Sequence, residues 1–324
     1  MILPGSDPAA IAQAALQLRA GELVALPTET VYGLGADASQ DSAVAKVFAA
    51  KGRPAEHPLI VHVASKAQVS DYAASVPAFA HKLIDAFWPG PLTLILPRRD
   101  GVARAAAGGQ DSIGLRCPSH PVAQALLQAA ATGVAAPSAN QFGRVSPTTA
   151  EHVQAEFGED LLILDGGPCP VGIESTIVDC TRGAPVLLRP GHITREQVEA
   201  ACGQALLAPE AATEAAPRAS GTLESHYAPR ARVRLMSANE LNQRLASLGV
   251  HAHNLGLWSR QRPLDAGAGV LWRAQAVLAA EAAQQLFAVL RELDSHGVQQ
   301  IWVELPPDTP AWEGVRDRLK RAAA

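Results

Sequence analysis

The chain has 324 residues, of which 48% are apolar and 18% are charged, and its formal net charge at pH 7 is −4. This much apolar material can fill sizeable cores, which excludes a disordered chain, and the length favours two domains over one. Because the chain is not basic overall, a nucleic-acid partner would have to bind to a local positive patch.

The cysteines and the N-terminal sequence indicate the compartment. None of Cys117, Cys169, Cys180 and Cys202 has the spacing of a zinc site. The opening sequence MILPGS lacks the charged start and apolar centre of a signal peptide. No apolar run reaches the roughly 18 to 20 residues that a membrane span needs. We therefore expect reduced cysteines, a cytoplasmic location and no membrane partner.

Short apolar strands alternate with helices through residues 1–202. Helices are predicted at 8–20, 41–51, 122–131 and 148–157, and a glycine-punctuated loop at 27–35. Strands are predicted at 23–27, 58–63, 92–96, 113–116, 134–136, 161–164, 176–178 and 186–188. This alternation predicts an α/β domain with a largely buried sheet. At the start of the fourth helix, Ser146 is a candidate N-cap, and Thr148 with Glu151 is a candidate capping box.

The composition changes after the first domain. Residues 203–229 are rich in Ala, Pro, Glu and Ser and have little periodicity, which predicts a linker. Residues 230–324 return to alternating strands and helices, which predicts a smaller α/β domain. This second domain contains no G-x-G-x-x-G sequence, so a dinucleotide site is not supported.

Lys51 and Arg53 flank a glycine where a predicted helix ends. A lysine ammonium and an arginine fork together suit phosphate oxygens, and Gly52 would let the backbone approach a ligand closely. The alternative is that the two cations interact with the helix dipole while the glycine caps the helix.

Hydroxyl and amide groups follow the strand at 134–136. Ser138 and Asn140 come directly after it, at the end of a strand where open α/β sheets bind ligands. Their alternative interpretation is an ordinary polar turn. The helix that starts near Ser146 could also accept an anion at its N-terminus.

Two further strands carry charged or titratable side chains. His62 could be a functional residue or a buried core histidine. Arg116 could hold a carboxylate or form a structural salt bridge. Ser175 and Thr176 supply hydroxyls where a strand begins, and Arg189 lies beside a turn. No nucleophile triad or Walker loop is present, so this polar set favours catalysis by positioning and charge stabilisation.

Eight motifs, in this order, resemble those of the YrdC-type threonylcarbamoyl-AMP synthases, in their long two-domain form. They are PTETVYGL from Pro27, KGRP from Lys51, PLIVH from Pro58, FWPGPLT from Phe87, PSAN from Pro137, GIESTIVD from Gly172, LRPG from Leu188 and HYAP from His226. The resemblance implies a twisted open α/β sheet with a large concave cleft, and a smaller Rossmann-like C-terminal domain.

The resemblance also implies a reaction. L-threonine, bicarbonate and ATP, with Mg²⁺, give threonylcarbamoyl-AMP and pyrophosphate. The product would pass to a tRNA-modifying transferase complex, which modifies the adenosine beside the anticodon.

Site residues follow from the resemblance position by position. The catalytic tetrad would be Lys51, Arg53, Ser138 and Asn140. Other ATP contacts would be His57, Ser146, Arg189 and Tyr227, the last as part of a lid over the cleft. The threonine pocket would comprise Thr30, His62, Arg116, Ser175 and Thr176, with Arg116 on the carboxylate, and no metal ligand is expected from the chain itself.

This sequence departs from the family pattern at two places. His57 stands where many members have asparagine, and the stretch before His226 lacks the usual Pro-Gly-Met-Lys.

The sequence leaves three alternative functions open. The first is an RNA- or tRNA-binding module without catalysis, in which the same cations would contact phosphates. The second is a hydrogenase-maturation carbamoyltransferase, and the third is a vestigial interaction protein.

Overall fold

A computed structural model describes residues 1–209, 217–221, 226–248, 254–263 and 269–324. The chain forms two compact units. The first comprises residues 1–142, 146–170 and the described part of 174–222. The second comprises residues 143–145, 171–173 and the described part of 223–324. Of the predicted linker at 203–229, residues 210–216 and 222–225 lie outside the described residues.

A ten-stranded mixed sheet forms the centre of the first unit. Its strands are β1 (Ile2–Pro4), β2 (Val24–Leu26), β3 (Gly33–Asp37), β4 (Ile60–His62), β5 (Leu92–Pro97), β6 (Ser112–Arg116), β7 (Val134–Ala135), β8 (Leu162–Asp165), β9 (Thr176–Asp179) and β10 (Val186–Arg189). They lie in the order β1-β8-β2-β3-β7-β4-β6-β5-β9-β10. Parallel and antiparallel neighbours are interspersed, for example β4 with β6 and β5 with β6.

Helices of the first unit bury their apolar sides against this sheet. They are α1 (Pro8–Arg19), α2 (Asp41–Lys51), α3 (Val69–Tyr72), α4 (Ala78–Phe87), α5 (Pro121–Ala130), α6 (Ala150–Phe157) and α7 (Arg195–Cys202). In α2, Val44, Val47 and Phe48 are buried. Gly52 ends this helix in the left-handed conformation, with φ of 61°, so the predicted glycine cap is confirmed.

Strand β3 occupies part of the segment that the sequence predicted to be a loop. Its glycines have a packing reason, because a Cβ on Gly35 would lie 2.9 Å from Val134 Cγ1 on β7. A Cβ on Gly33 would likewise lie 3.1 Å from Ala136 Cβ. Glycine within a strand often marks such a close approach, and the loop prediction for these residues is wrong.

Helix α6 begins two residues later than predicted. Its N-cap is Thr149, whose hydroxyl accepts a hydrogen bond from the His152 backbone N–H at 3.3 Å. Thr148 and Glu151 therefore do not form the predicted capping box. Ser146 is not the N-cap either, because its hydroxyl instead donates to Glu174 Oε1 at 2.5 Å.

The second unit contains a four-stranded sheet in which every neighbouring pair is parallel. Its strands β11 (Arg232–Met236), β12 (Leu255–Ser259), β13 (Val270–Ala274) and β14 (Gln300–Glu304) lie in the order β11-β14-β12-β13. Its helices are α8 (Ala238–Leu248), α9 (Ala279–Ser295) and α10 (Glu313–Ala322). The prediction of an α/β fold with a smaller Rossmann-like second unit is confirmed.

The described residues contain no helix that is long and apolar enough to cross a membrane. This finding concerns those residues alone. The cytoplasmic location remains an expectation from the sequence.

Candidate functional site

Lys51 lies at the end of α2 and holds the loop that follows β7. Its ammonium donates to the carbonyl oxygens of Ser138 and Asn140, both at 2.5 Å. Burial lowers the pKa of Lys51 well below the usual lysine value, and the neighbouring charge of Arg53 acts in the same direction. Lys51 thus holds the backbone that carries the Ser138 hydroxyl and the Asn140 amide, which are separated by one residue.

Ser220 joins two arginines that the sequence assigned to the nucleotide. The Arg53 Nη2 group donates to Ser220 Oγ at 2.9 Å, and the Arg189 Nη1 group donates to the Ser220 carbonyl at 3.0 Å. Ser220 Oγ in turn donates to the Pro58 carbonyl at 3.0 Å. Arg53 also lies over the Phe142 ring, 5.6 Å from its centroid. The sequence did not predict that Ser220 would contact both cations.

Arg189 also holds the start of β9. It donates to the Ser175 carbonyl through Nε at 3.0 Å, and to Ser175 Oγ through Nη2 at 3.0 Å. Ser175 Oγ lies 2.7 Å from Thr93 Oγ1, which extends this polar cluster to β5. The Thr176 hydroxyl donates to the Ile193 carbonyl at 2.8 Å, so Ser175 is the one of the two predicted hydroxyls that joins the arginine.

Strand register places the threonine-pocket candidates side by side. His62 and Arg116 are paired at the ends of parallel strands β4 and β6. Strand β5 runs antiparallel to β6, with Leu94 opposite Leu115, so Thr93 near the start of β5 lies beside the end of β6. Strand β9 is parallel to β5 and begins at Thr176, opposite Leu92. This edge of the sheet therefore gathers an imidazole, a guanidinium and several hydroxyls.

Arg116 belongs to a buried ion pair. Its Nη2 lies 2.7 Å from Glu29 Oε1, and the two side chains are 4% and 6% exposed. Its Nη1 donates to Thr30 Oγ1 at 2.8 Å and its Nε to the Gly90 carbonyl at 3.3 Å. The structural salt bridge considered from the sequence is therefore present, and Glu29 is the partner that the sequence analysis missed.

Three buried polar atoms in this cluster have unused hydrogen-bonding capacity. In the described part of the chain, Arg116 Nη2 and Glu29 Oε1 form their ion pair without an aligned hydrogen bond, and His62 Nδ1 has no hydrogen-bond partner. Buried polar groups in folded proteins are nearly always satisfied, so such atoms point to a ligand or to water. The cluster offers a donor and an acceptor to a small polar molecule.

Burial keeps His62 neutral. It lowers the pKa of His62 to about 3, and the charge of Arg116 contributes in the same direction, while the carbonyls of Val134 and Ile60 oppose it. A neutral imidazole can accept a hydrogen bond from an ammonium or a hydroxyl.

His62 makes stability depend on pH. The unfolded chain gains a proton as pH falls below 6.5, whereas folded His62 gains it only near a pKa of about 3. The contribution of His62 to stability is therefore full above pH 6.5 and is lost as pH falls toward 3. We expect His62→Gln to lose less melting temperature than the wild type between pH 7 and pH 4, measured by a thermal-shift assay. The exposed-residue control His81→Gln should follow the wild type, and an unchanged slope in His62→Gln would contradict the assignment.

Three predicted nucleotide contacts lie in different surroundings. The His57 ring packs edge-on against Phe142, with centroids 5.5 Å apart, and burial followed by the charge of Arg53 lowers its pKa. Ser146 donates to Glu174. Tyr227 belongs to the second unit, where its fully buried ring lies 5.3 Å from that of Phe287. The roles of these residues toward ATP remain predictions.

The donor set is unlike that of a resident metal site. Within the described ranges, no group of three or more His, Cys, Asp and Glu side chains could hold a metal ion. The carboxylates nearest to the predicted residues already accept contacts, as Glu29 does from Arg116 and Glu174 from Ser146. A divalent cation would have to be held mainly by a bound phosphate ligand.

Comparison with known proteins decides the family. Residues 16–191 match the family described as "Telomere recombination", and residues 193–324 match "Threonylcarbamoyl-AMP synthase, C-terminal domain". The chain is 39% identical over 315 residues to the threonylcarbamoyl-AMP synthase of Pyrococcus abyssi, covering 94% of this chain and 92% of that one. The chain belongs to the threonylcarbamoyl-AMP synthase family. The Bacillus subtilis member is 40% identical over 335 residues, covering 99% and 94% of the two chains.

A solved structure of this family has the same fold throughout. The crystal structure of P. abyssi Sua5 complexed with L-threonine superimposes with a TM-score of 0.88 at 37% identity, covering 98% of this chain and 95% of that one. The family assignment made from the eight sequence motifs, including the two-domain form, is confirmed. Membership of a synthase family does not favour an RNA-binding module without catalysis.

Proposed function

We propose that this chain is an L-threonylcarbamoyladenylate synthase, which makes threonylcarbamoyl-AMP and pyrophosphate from L-threonine, bicarbonate and ATP. The observation that carries the proposal is the pairing of two polar clusters in the first unit. One cluster is cationic and holds the loop of Ser138 and Asn140, and the other surrounds the buried Arg116. The relatives that match almost the full length support this function by name.

The Arg116 cluster would bind threonine. A guanidinium has five N–H donors in a planar fork. Because Nη2 of Arg116 makes no aligned hydrogen bond, this side chain can donate to a bound carboxylate. Neutral His62 would accept a hydrogen bond from the amino group or the hydroxyl of threonine. The Thr30 hydroxyl accepts a hydrogen bond from Arg116, and the Ser175 hydroxyl accepts one from Arg189. Both hydroxyls can orient the same ligand.

The cationic cluster would bind ATP. Lys51 and Arg53 would neutralise phosphate oxygens, with Ser138, Asn140 and Arg189 as further contacts. An anionic phosphate beside Lys51 favours the charged ammonium, which offsets the effect of burial on its pKa. Because Ser220 now occupies both arginines, a phosphate that reaches them has to replace its hydrogen bonds.

The reaction needs no covalent enzyme intermediate. The threonine amine would attack carbon dioxide and lose a proton, or attack bicarbonate with release of water, and either route gives a carbamate. A carbamate oxygen would then attack the α-phosphorus of ATP, and the bond from that phosphorus to the bridging oxygen would break and release pyrophosphate. The protein would hold two anions together and stabilise charge on the leaving group, which suits cations and hydroxyls rather than a nucleophile.

Mg²⁺ would reach the site bound to ATP. Its preferred ligands are oxygens, and in nucleotide enzymes phosphates commonly supply several of them while the protein supplies few. The proposed ATP site fits a metal–phosphate complex better than a bare ion, because its cations Lys51, Arg53 and Arg189 would repel a bare ion. When bound, the ion would neutralise charge on the phosphates.

A direct assay tests this function. The purified chain would be incubated with ATP, Mg²⁺, bicarbonate and labelled threonine, and pyrophosphate and the adenylate would be followed by chromatography. We expect product that requires both threonine and bicarbonate. Omitting threonine, or replacing it by alanine, controls for ATP hydrolysis. Pyrophosphate released at the same rate without threonine, or no adenylate from folded protein, would contradict the proposal.

The destination of the product is a further proposal. Threonylcarbamoyl-AMP is an activated mixed anhydride, so an acceptor enzyme must use it before water does. We propose a tRNA-modifying transferase complex as that acceptor. Direct RNA binding by this chain and a cytoplasmic location remain predictions.

A further inference from the structure

The second unit has a cavity where parallel sheets commonly bind ligands. Strands β11, β14 and β12 are parallel neighbours, so their carboxyl ends lie at one edge. Open α/β sheets bind their ligands in the crevice outside this edge. The open cavity here has a volume of about 640 Å³, and its lining includes Ser259 at the end of β12 and Glu304 at the end of β14. That volume lies within the usual range for a small-molecule site.

Among the described residues that line this cavity, the net charge is positive. Glu304 is neutralised by Arg260, whose backbone N–H and Nε each donate to its carboxylate at 2.8 Å. Arg262 also lines the cavity and is exposed, and the described residues offer it no ion pair. Arg262 therefore presents a whole guanidinium fork, the group that best fits a phosphate.

Helix α8 adds partial positive charge to the same cavity. Its first residue, Ala238, lines the cavity, and its preceding Ser237 hydroxyl accepts from the Glu240 N–H at 3.2 Å. The carboxylate of Glu240 is paired with Arg244, 3.2 Å away, so it offsets little of the charge. Helix N-termini favour bound anions.

A buried acceptor lies next to two lining residues. Gln275 is 3% exposed, its Nε2 donates to the Glu304 carbonyl at 3.1 Å, and its backbone N–H donates to the Ser259 carbonyl at 2.8 Å. Its Oε1 has no hydrogen-bond partner among the residues that the structure describes. This oxygen can accept from a hydroxyl or a water molecule that enters beside Ser259 and Glu304.

We propose that the carboxyl edge of this sheet is a binding site for a phosphate monoester of mononucleotide size, with Arg262 as its phosphate contact. The absence of a glycine-rich turn after β11 argues for one phosphate rather than the pyrophosphate of a dinucleotide, because Met236-Ser237-Ala238 leads directly into α8. This site lies in the second unit and does not depend on the synthase assignment.

Hydrogen–deuterium exchange on the full-length chain tests the proposal, because it separates this site from ATP binding in the first unit. AMP and ribose 5-phosphate serve as probes, and adenosine serves as the neutral control. We expect both phosphates to slow exchange in residues 238–242 and 255–263, and adenosine to have no effect there. The same protection is expected in Lys51→Met, where the first unit is altered.

Variants localise the contact. Arg262→Ala is expected to raise the probe concentration needed for half-maximal protection about tenfold or more, because it removes a charge-assisted contact. The matched control is Arg230→Ala, an exposed arginine of the same unit that does not line the cavity, and it should keep wild-type protection. Absence of protection in these segments, equal protection by adenosine, or full protection in Arg262→Ala would each overturn the proposal.

Discussion

Replacing Lys51 by methionine is expected to lower kcat/KM for ATP by about 10²–10³-fold, as loss of one preorganised charge-stabilising donor does. The change removes the ammonium that donates to Ser138 and Asn140 and that would face the phosphates. Stability should change by less than about 2 kcal/mol, because the lost hydrogen bonds are offset by no longer burying a charge.

The control for this variant lies on the same helix. Lys46 is 44% exposed and pairs with Glu22, so Lys46→Met should keep wild-type kinetics. Steady-state rates of pyrophosphate release would be measured for both variants, together with binding of labelled threonine, which Lys51→Met should retain. If Lys51→Met stays within about twofold of the wild type, a difference far below the expected range, Lys51 is a loop-positioning residue and not a phosphate contact.

Replacing Arg116 by methionine is expected to abolish threonine-dependent product and also to destabilise the first unit. Glu29 would remain buried without its partner, which typically costs about 3–5 kcal/mol. For a unit of this size that corresponds to a fall in melting temperature on the order of 10 °C. Thermal-shift curves and the threonine dependence of pyrophosphate release would measure the two effects.

A double variant separates the two effects. Adding Glu29→Gln to Arg116→Met removes the uncompensated charge, so most of the lost melting temperature should return. The threonine-dependent activity should not return, because the carboxylate contact is still absent. Recovery of activity in the double variant would show that Arg116 acts only as a structural partner of Glu29. Glu22→Gln, in an exposed pair, serves as the control for stability.

Local patterns in the sequence predicted the presence of helices better than the positions of their ends. The bounds of α2 are those predicted, because an apolar face, a final lysine and a capping glycine all lie within a few residues. The start of α6 was misplaced, because Ser146, Thr148 and Thr149 can all cap a helix and only tertiary packing selects Thr149. Strand β3 was missed because its glycines indicate a turn unless the neighbouring strand is known.

Long-range partners were the part of the site that the sequence could not supply. The sequence analysis named Lys51, Arg53, Arg116 and Arg189 but not the protein groups that these cations contact. Glu29 lies 87 positions from Arg116 in the sequence and meets it only through the sheet. Ser220 lies in a segment of low periodicity, where no pattern indicates a contact to two arginines.

The strand order of the second unit has a consequence for biosynthesis. Strand β11 stands at one edge of the sheet, and its neighbour is β14, which comes from residues 300–304. Until the ribosome has made residues 300–304, β11 has no strand to pair with, and β12 and β13 can pair only with each other. We therefore expect this unit to fold late in translation, since its central pairing joins residues far apart in the chain.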